Sequence, residues 1–139
     1  MSEESPIQAP PLLFPGQWAP ESAYRTAYDL LARNAPSQAL DVLEPALERE
    51  PGNRGLRSLR AWAFLARAQL QRAEDDLRLL VEERPDDVWA CHALGRSLER
   101  QSRYAEALGF LRLAAVMSDD YDHQADVLRV QRRLADSRH

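Results

Sequence analysis

Apolar residues recur every three or four positions along most of this chain, and the pattern itself returns after 34 residues. The positions that share this period are Ala27, Ala61 and Gly95; Leu30, Phe64 and Leu98; Ala39, Ala73 and Ala107; and Leu43, Leu77 and Leu111. A spacing of three and four residues predicts amphipathic helices with one apolar face. A constant longer period predicts stacked helical repeats, because each unit must cover its apolar face with its neighbour. The sequence therefore predicts a helical array over residues 20–121.

Each repeat is predicted to contain two helices. Pro20 suits the first turn of a helix, where its missing N–H costs no hydrogen bond. Pro51 and Pro85 end the second helix of two repeats, and Asp119 takes the same place in the third. Because the connections are short and each helix has one apolar side, neighbouring helices are predicted to be antiparallel. The predicted boundaries of the repeats are 20–53, 54–87 and 88–121.

Residues 122–139 predict one more amphipathic helix and a short tail. Its apolar side carries Val127, Leu128, Val130 and Leu134, and its predicted solvated side carries Arg129 and neighbouring arginines. A single helix at the end of an array covers the apolar face that the last repeat leaves open. The prediction is therefore a C-terminal capping helix.

Residues 1–19, the N-terminal tail, are rich in proline. Proline fixes φ and lacks an N–H, so an extended, polyproline-like conformation is predicted. The tail also carries large apolar side chains at Leu12, Leu13, Phe14 and Trp18. Burying one such side chain is worth about 1.5–3 kcal/mol, so we expect these residues to anchor the tail on the folded body. The alternative is a mobile, adhesive tail.

The repeat resembles the tetratricopeptide repeat, a helix-turn-helix unit of the same length. The residues that carry the resemblance in the third repeat are Cys91, Leu94, Gly95, Leu98, Ala107, Leu111 and Asp119. In the second repeat, Arg57 and Arg60 fall where the family has apolar residues. The resemblance implies an all-α, right-handed superhelical solenoid of three helix pairs plus a capping helix. It also implies a concave groove, lined by the first helix of each pair, that binds peptides or protein segments.

Under this resemblance, the groove-facing side chains belong to the first helix of each repeat. They are Tyr24, Tyr28, Leu31, Ser58, Trp62, Leu65, Trp89, His92, Arg96, Glu99 and Arg100. This set is aromatic at one end and charged at the other, and aromatic side chains dominate binding hot spots. The alternative is that Tyr24, Trp62 and Trp89 fill gaps between helices.

Members of the family that hold the acidic C-terminus of cytosolic chaperones use Lys, Asn and Arg as a carboxylate clamp. The matching positions in this chain are Tyr24, Tyr28, Leu59, Trp89 and Ala93. None of these side chains is cationic. The sequence therefore argues against that role and favours an apolar or proline-containing ligand.

Composition narrows the class of protein further. The chain has 139 residues, of which 45% are hydrophobic and 29% charged, and a net charge of -4, so we expect one domain and no nucleic-acid partner. The single cysteine fits a reducing compartment. An acidic N-terminus and the lack of a membrane-length apolar run predict a cytoplasmic protein without membrane insertion. All 18 cationic side chains are arginine, which indicates the codon bias of a GC-rich bacterial genome or selection for stable ion pairs.

The sequence contains no phosphate-binding glycine loop, nucleophile elbow, CxxC or HExxH motif. Cys91 and His92 are adjacent, but neighbouring residues point about 100° apart on a helix, so Cys91 is interpreted as a core residue. The acidic turn at Asp119, Asp120 and Asp122 is interpreted as a helix N-cap. The prediction is a protein that is not an enzyme and has no cofactor or metal site.

Three functions remain open at this point, and all three need a protein or peptide partner. The leading hypothesis is a non-catalytic adaptor that binds an extended apolar or proline-containing segment in the groove, with its own N-terminal tail as one candidate occupant. A second is a secretion or assembly chaperone that shields a client's apolar segment. A third is a structural homodimer formed through Val127, Val130 and Leu134, or through the tail.

Overall fold

The computed structural model describes residues 7–11 and 19–138. Within these ranges the chain forms seven α-helices and no strand, which confirms the predicted all-α fold. The helices are α1 (Ala19–Ala32), α2 (Pro36–Arg49), α3 (Arg54–Ala66), α4 (Leu70–Glu83), α5 (Val88–Arg100), α6 (Tyr104–Met117) and α7 (Tyr121–Ser137). None of these described helices has both the length and the apolar character needed to span a bilayer.

The described residues fall into two compact units. The N-terminal unit comprises residues 9–76 and the C-terminal unit comprises residues 7–8 and 77–138, so α4 begins in one and ends in the other. In the N-terminal unit, α1, α2 and α3 pack on one another. In the C-terminal unit, α6 packs against both α5 and α7.

The small residues that define the period lie at helix contacts, as predicted. An ideal Cβ atom on Gly95 would lie 2.7 Å from the side chain of Leu111 and 3.2 Å from its backbone nitrogen. The backbones of α5 and α6 therefore approach too closely here for a larger residue. The fully buried small residues at the other repeat positions are Ala27, Ala39, Ala61, Ala73 and Ala107.

The turn inside each helix pair also repeats. The described non-glycine residues with positive φ are Asn34 (62°), Ala68 (58°) and Ser102 (61°), each 34 positions from the next. After each of them, an N–H bonds to the carbonyl five residues earlier: Ala35 to Leu30 at 2.8 Å, Gln69 to Phe64 at 2.9 Å and Arg103 to Leu98 at 3.0 Å. This is the Schellman motif, which ends a helix with one left-handed residue.

Side-chain caps begin α3, α5 and α7. Asn53 accepts from the N–H of Leu56 at 3.1 Å, Asp87 from that of Ala90 at 3.0 Å, and Asp120 from that of Asp122 at 2.9 Å. The interpretation of the acidic turn as an N-cap is thus confirmed for Asp120. The first two caps are 34 residues apart, but Asp120 follows Asp87 by only 33. α7 therefore begins one residue earlier than the 34-residue period would place it.

The buried face of α7 is largely polar, and the sequence-based assignment of its faces is wrong at two positions. Arg129, expected in solvent, is 3% exposed, whereas Leu128 is 60% exposed. Arg129 follows Gly95 by 34 residues, so it falls at a position that is buried in the earlier repeats, and its guanidinium donates there to the carboxylate of Glu99. The remaining buried residues of α7 are His123, Asp126 and Val130.

Cys91 is fully buried in α5, and its thiol donates to the carbonyl of Pro85 at 3.6 Å. Burial raises the pKa of this thiol to about 11. The group is therefore protonated and unreactive at neutral pH, in agreement with its interpretation as a core residue.

Candidate peptide-binding site

Three aromatic side chains of the N-terminal unit pack against one another. The rings of Tyr24 and Tyr28 are stacked with centroids 6.2 Å apart, and Trp62 meets Tyr28 edge-on at 5.6 Å. Tyr24 is buried, and its hydroxyl donates a hydrogen bond to the carbonyl of Pro11 at 3.0 Å. Tyr28 and Trp62 are half-buried. This part of the predicted site is thus in contact with the N-terminal tail.

The other predicted site residues of the N-terminal unit, Leu31, Ser58 and Leu65, are buried. They contribute to the core of the unit and offer little accessible surface in this state. Their burial agrees with the alternative in which part of the predicted set fills space between helices.

Trp89 makes a comparable contact in the C-terminal unit. Its indole N–H donates to the carbonyl of Gln8 at 2.6 Å. The side-chain amide of the same Gln8 donates to Oδ2 of Asp120 at 3.3 Å. In each unit, therefore, an aromatic hydrogen-bond donor on a first helix bonds to a backbone carbonyl of the tail.

His92, Arg96 and Glu99 belong to a buried ionic cluster between α5 and α7. Arg129 donates to both carboxylate oxygens of Glu99, at 2.7 and 2.8 Å, and to Asp126 at 2.6 Å. His92 Nε2 lies 2.6 Å from the second oxygen of Asp126, and Arg96 Nε lies 3.5 Å from Glu99. Glu99 is only 1% exposed. The charged end of the predicted set is therefore an interior cluster in this structure.

The pKa shifts of Asp126 and Arg129 show that hydrogen bonds within the cluster keep both groups ionised despite their burial. Burial opposes ionisation of Asp126, but hydrogen bonds from His92 and Arg129 outweigh it and keep the pKa of Asp126 below its usual value. Burial also works against the charge of Arg129, yet the bond to Glu99 raises the pKa of Arg129. His123 stacks on His92 with ring centroids 4.3 Å apart, and burial together with that neighbour lowers the pKa of His123.

Several residues of this region had no signal in the sequence. Gln8 and Pro11 accept from Trp89 and Tyr24 through backbone carbonyls, which every residue carries, so no sequence pattern marks these two contacts. Asp126 and Arg129 were not predicted because their partners, His92 and Glu99, lie on another helix 30 or more residues earlier in the chain. Among the other predicted residues, Arg100 is exposed. The predicted tail anchors Leu12, Leu13, Phe14 and Trp18 lie outside the described residues.

The positions that match a carboxylate clamp contain no cation. Leu59 and Ala93 are fully buried core residues. Tyr24 and Trp89 are neutral donors, and each already bonds to a carbonyl of the tail.

A second surface feature lies between α6 and α7. It is a mostly apolar groove of about 400 Å³ lined by Arg112, Ala115, Val116, Gln124, Val127, Leu128 and Gln131. Of the residues predicted to form a dimer, Val127 lines this groove, but Val130 is fully buried within the chain. Val130 is therefore not available for contact with a second copy.

Comparison with known proteins gives a fold and a family match over part of the chain. A tetratricopeptide repeat (TPR) family model matches residues 30–94, whereas a search of curated proteins finds no matching relative. Among solved structures, the chain is similar to the Sgt2 TPR domain from Aspergillus fumigatus, with 20% identity, a TM-score of 0.78, and coverage of 86% of this chain and 81% of that one. It is similar to the Arabidopsis OM64 TPR domain, with 22% identity, a TM-score of 0.76, and coverage of 81% and 94%.

A third solved structure contains a bound peptide. It is the first TPR of Spaghetti (RPAP3) bound to the HSP90 peptide SRMEEVD, with 16% identity, a TM-score of 0.78, and coverage of 84% of this chain and 93% of that one. At these identities the similarity shows the fold alone. Taken together, the family-model match over residues 30–94 and the shared all-α fold show that this chain has the fold of tetratricopeptide repeat domains.

Proposed function

We propose that this TPR protein is a non-catalytic interaction module that binds an extended, proline-containing protein segment, and that its own N-terminal tail occupies the binding surface in the free protein. A TPR domain of the same fold is solved with a bound peptide, which supports a protein or peptide ligand. The chemistry of the ligand follows from the contacts of this chain itself.

The observation that carries the proposal is the pair of aromatic donors that bond to tail carbonyls. Tyr24 bonds to Pro11 at 3.0 Å and Trp89 bonds to Gln8 at 2.6 Å. A polyproline-like segment has no internal hydrogen bonds, so its carbonyls accept from outside donors. Aromatic-lined surfaces are a common way to bind such segments. Pro10, which lies between the two bonded residues, is buried.

The test uses a fluorescent peptide of residues 1–19 and measures its binding by anisotropy. We expect binding to a chain that lacks these residues. Binding to the full chain should be weaker by about tenfold or more, because a tethered tail competes at a high effective concentration. A shortened, folded chain that does not bind the peptide would contradict the proposal.

Point variants then test the two donors. Tyr24→Phe and Trp89→Phe keep an aromatic ring but remove the donor, and each should weaken peptide binding by about 1 kcal/mol. Tyr28→Phe is the matched control, because its ring packs in the same aromatic group but its hydroxyl makes neither of the bonds to Gln8 and Pro11. If Tyr28→Phe weakens binding as much as Tyr24→Phe does, the hydroxyl bond to Pro11 does not carry the interaction.

A further inference from the structure

Gln8 is bonded to the C-terminal unit at two points. Its carbonyl accepts from the indole N–H of Trp89 at 2.6 Å, and its side-chain amide donates to Oδ2 of Asp120 at 3.3 Å. Trp89 contacts a group that every residue has, whereas Asp120 contacts a group that differs between residues. Asp120 is therefore the member of this pair that can distinguish one ligand residue from another.

The carboxylate of Asp120 is held in place by its role as a helix cap. Its Oδ1 atom accepts from the N–H of Asp122 at 2.9 Å, and its own N–H donates to Ser118 Oγ at 3.0 Å. This leaves Oδ2 directed at Gln8. The cap bond from Asp122, together with the bond from Gln8, lowers the pKa of Asp120, so the group is ionised at neutral pH.

The Gln8 side chain is a neutral amide, so its bond to the Asp120 carboxylate lacks the attraction between opposite charges that a cationic side chain would add. Asp120 lies between the exposed carboxylates Asp119 and Asp122. The imidazoles of His123 and His92 also lower the pKa of Asp120, after the bonds from Asp122 and Gln8. A charge-assisted hydrogen bond is roughly twice as strong as a neutral one. Because the Gln8 side chain is exposed, a longer cationic side chain has room to reach the same oxygen.

We propose that the protein partner of this site carries Arg or Lys at the position that Gln8 occupies, two residues before a proline, and that Asp120 selects this cation. Gln8 then makes the tail a weaker occupant that such a partner displaces. The inference rests on the proposed function, since it concerns the same binding surface. The inference adds that the ligand must carry a positive charge, whereas Tyr24 and Trp89 require only backbone carbonyls.

The first test changes the tail within the full chain. Gln8→Arg should slow hydrogen exchange of the Trp89 indole N–H by about threefold at low salt, and Gln8→Glu should accelerate it by a similar factor. Both differences should shrink at high salt, because the site is exposed to screening. The exchange rate is read by NMR, with Trp89→Phe identifying the indole signal.

Two further variants locate the effect. Asp120→Asn removes the charge but retains a good N-cap residue, so α7 remains folded while the difference between Gln8→Arg and Gln8→Glu disappears. Asp119→Asn removes the same charge from the same turn and should preserve that difference. If Asp119→Asn abolishes it equally, the preference is a diffuse field effect and the inference is wrong.

Peptide competition extends the test to a partner. Three peptides of residues 1–19 that carry Gln, Arg or Glu at position 8 are added to the full chain, and we expect the Arg peptide to bind about threefold more tightly than the Gln peptide. Equal affinities for all three, with a protected Trp89 indole, would overturn the inference and leave the proposed function intact. The proposed function itself would be overturned by two results together: the indole N–H of Trp89 exchanges as fast as that of free tryptophan, and none of the three peptides binds.

Discussion

The two units place different chemistry at equivalent positions of their first helices. The residues Ser58, Trp62 and Leu65 of α3 correspond to His92, Arg96 and Glu99 of α5, which follow 34 positions later. In the N-terminal unit these positions are aromatic, aliphatic or small, and Trp62 packs on Tyr28. In the C-terminal unit they are ionic and bond to α7. The same helix pair therefore carries either an apolar or an ionic inner face.

The difference shows what each kind of interface depends on. Apolar packing is non-directional and tolerates moderate changes of shape. A buried ion pair compensates for lost hydration only when every partner is in place, and removing one leaves an uncompensated charge. The ionic face of α5 therefore requires α7, with Asp126 and Arg129 in register.

The largest expected effect comes from breaking the ionic cluster. Glu99→Ala removes the carboxylate that accepts two of the three bonds from Arg129 and should lower the free energy of unfolding by about 3–5 kcal/mol. The counterpart is Arg60→Met in the N-terminal unit, where Arg60 bonds to Asp76 at 2.9 Å but is 26% exposed. That variant should cost only about 1 kcal/mol. Urea unfolding measures the free energy lost in each variant. Equal losses would show that the buried ion pair of the C-terminal unit is worth no more than the exposed pair of the N-terminal unit.

The next effect concerns the backbone contact between α5 and α6. Gly95→Ala places a methyl group 2.7 Å from Leu111, and overpacking of this kind costs about 1–3 kcal/mol. The gain in helix propensity returns only about 1 kcal/mol, so we expect net destabilisation. Gly109→Ala is the matched control, since a Cβ atom there meets nothing within 4 Å. The free energy of unfolding of Gly109→Ala should rise by up to about 1 kcal/mol. A similar rise for Gly95→Ala would contradict the close approach of α5 and α6.

A smaller effect tests what the two units share. Ala68 and Ser102 hold the left-handed position of the same turn, one in each unit. Replacing either with glycine removes a steric penalty of about 1 kcal/mol, so both variants should raise the unfolding midpoint by a similar amount. Asn34→Gly should change it little, because asparagine tolerates this conformation. A gain in one unit only would show that the turns are not equivalent.

The smallest effect is a pH dependence in the C-terminal unit. Burial and the neighbouring His92 lower the folded-state pKa of His123, although Asp120, Asp126 and the carbonyl of Ala114 act in the opposite direction. The unfolded chain, with a histidine pKa of about 6.5, therefore takes up this proton first, and stability is lost as the pH falls through and below that value. His123→Gln should flatten the melting temperature between about pH 7 and pH 5. If the melting temperature of His123→Gln depends on pH as strongly as that of the wild type, another group is responsible for the pH dependence.

The sequence was sufficient to predict the features that depend on local spacing. The small residues at Ala39, Ala73 and Ala107 are buried as predicted, because a helix has a fixed period and each pair must bury one face. Asn34 follows the end of α1 with a φ of 62°, a conformation that asparagine tolerates. Such features need only the residues of one repeat and its neighbour.

Other features were not predictable because they depend on long-range partners. Arg129 was predicted to lie in solvent because the carboxylate that pairs with it, Glu99, lies on another helix. Arginine is rarely buried in proteins unless it is paired, so the residue type alone predicts an exposed side chain. The bonds from Tyr24 and Trp89 to the tail likewise connect residues whose types do not mark them as partners.

The burial of Cys91 has a practical consequence. Maleimide reagents attack thiolates, and a thiol that is fully buried with a pKa of about 11 reacts very slowly with them. A cysteine introduced on the surface can therefore carry a fluorophore while the native cysteine stays in place. Donor and acceptor dyes on the tail and on a helix would then report single-molecule distances without altering the interior of α5.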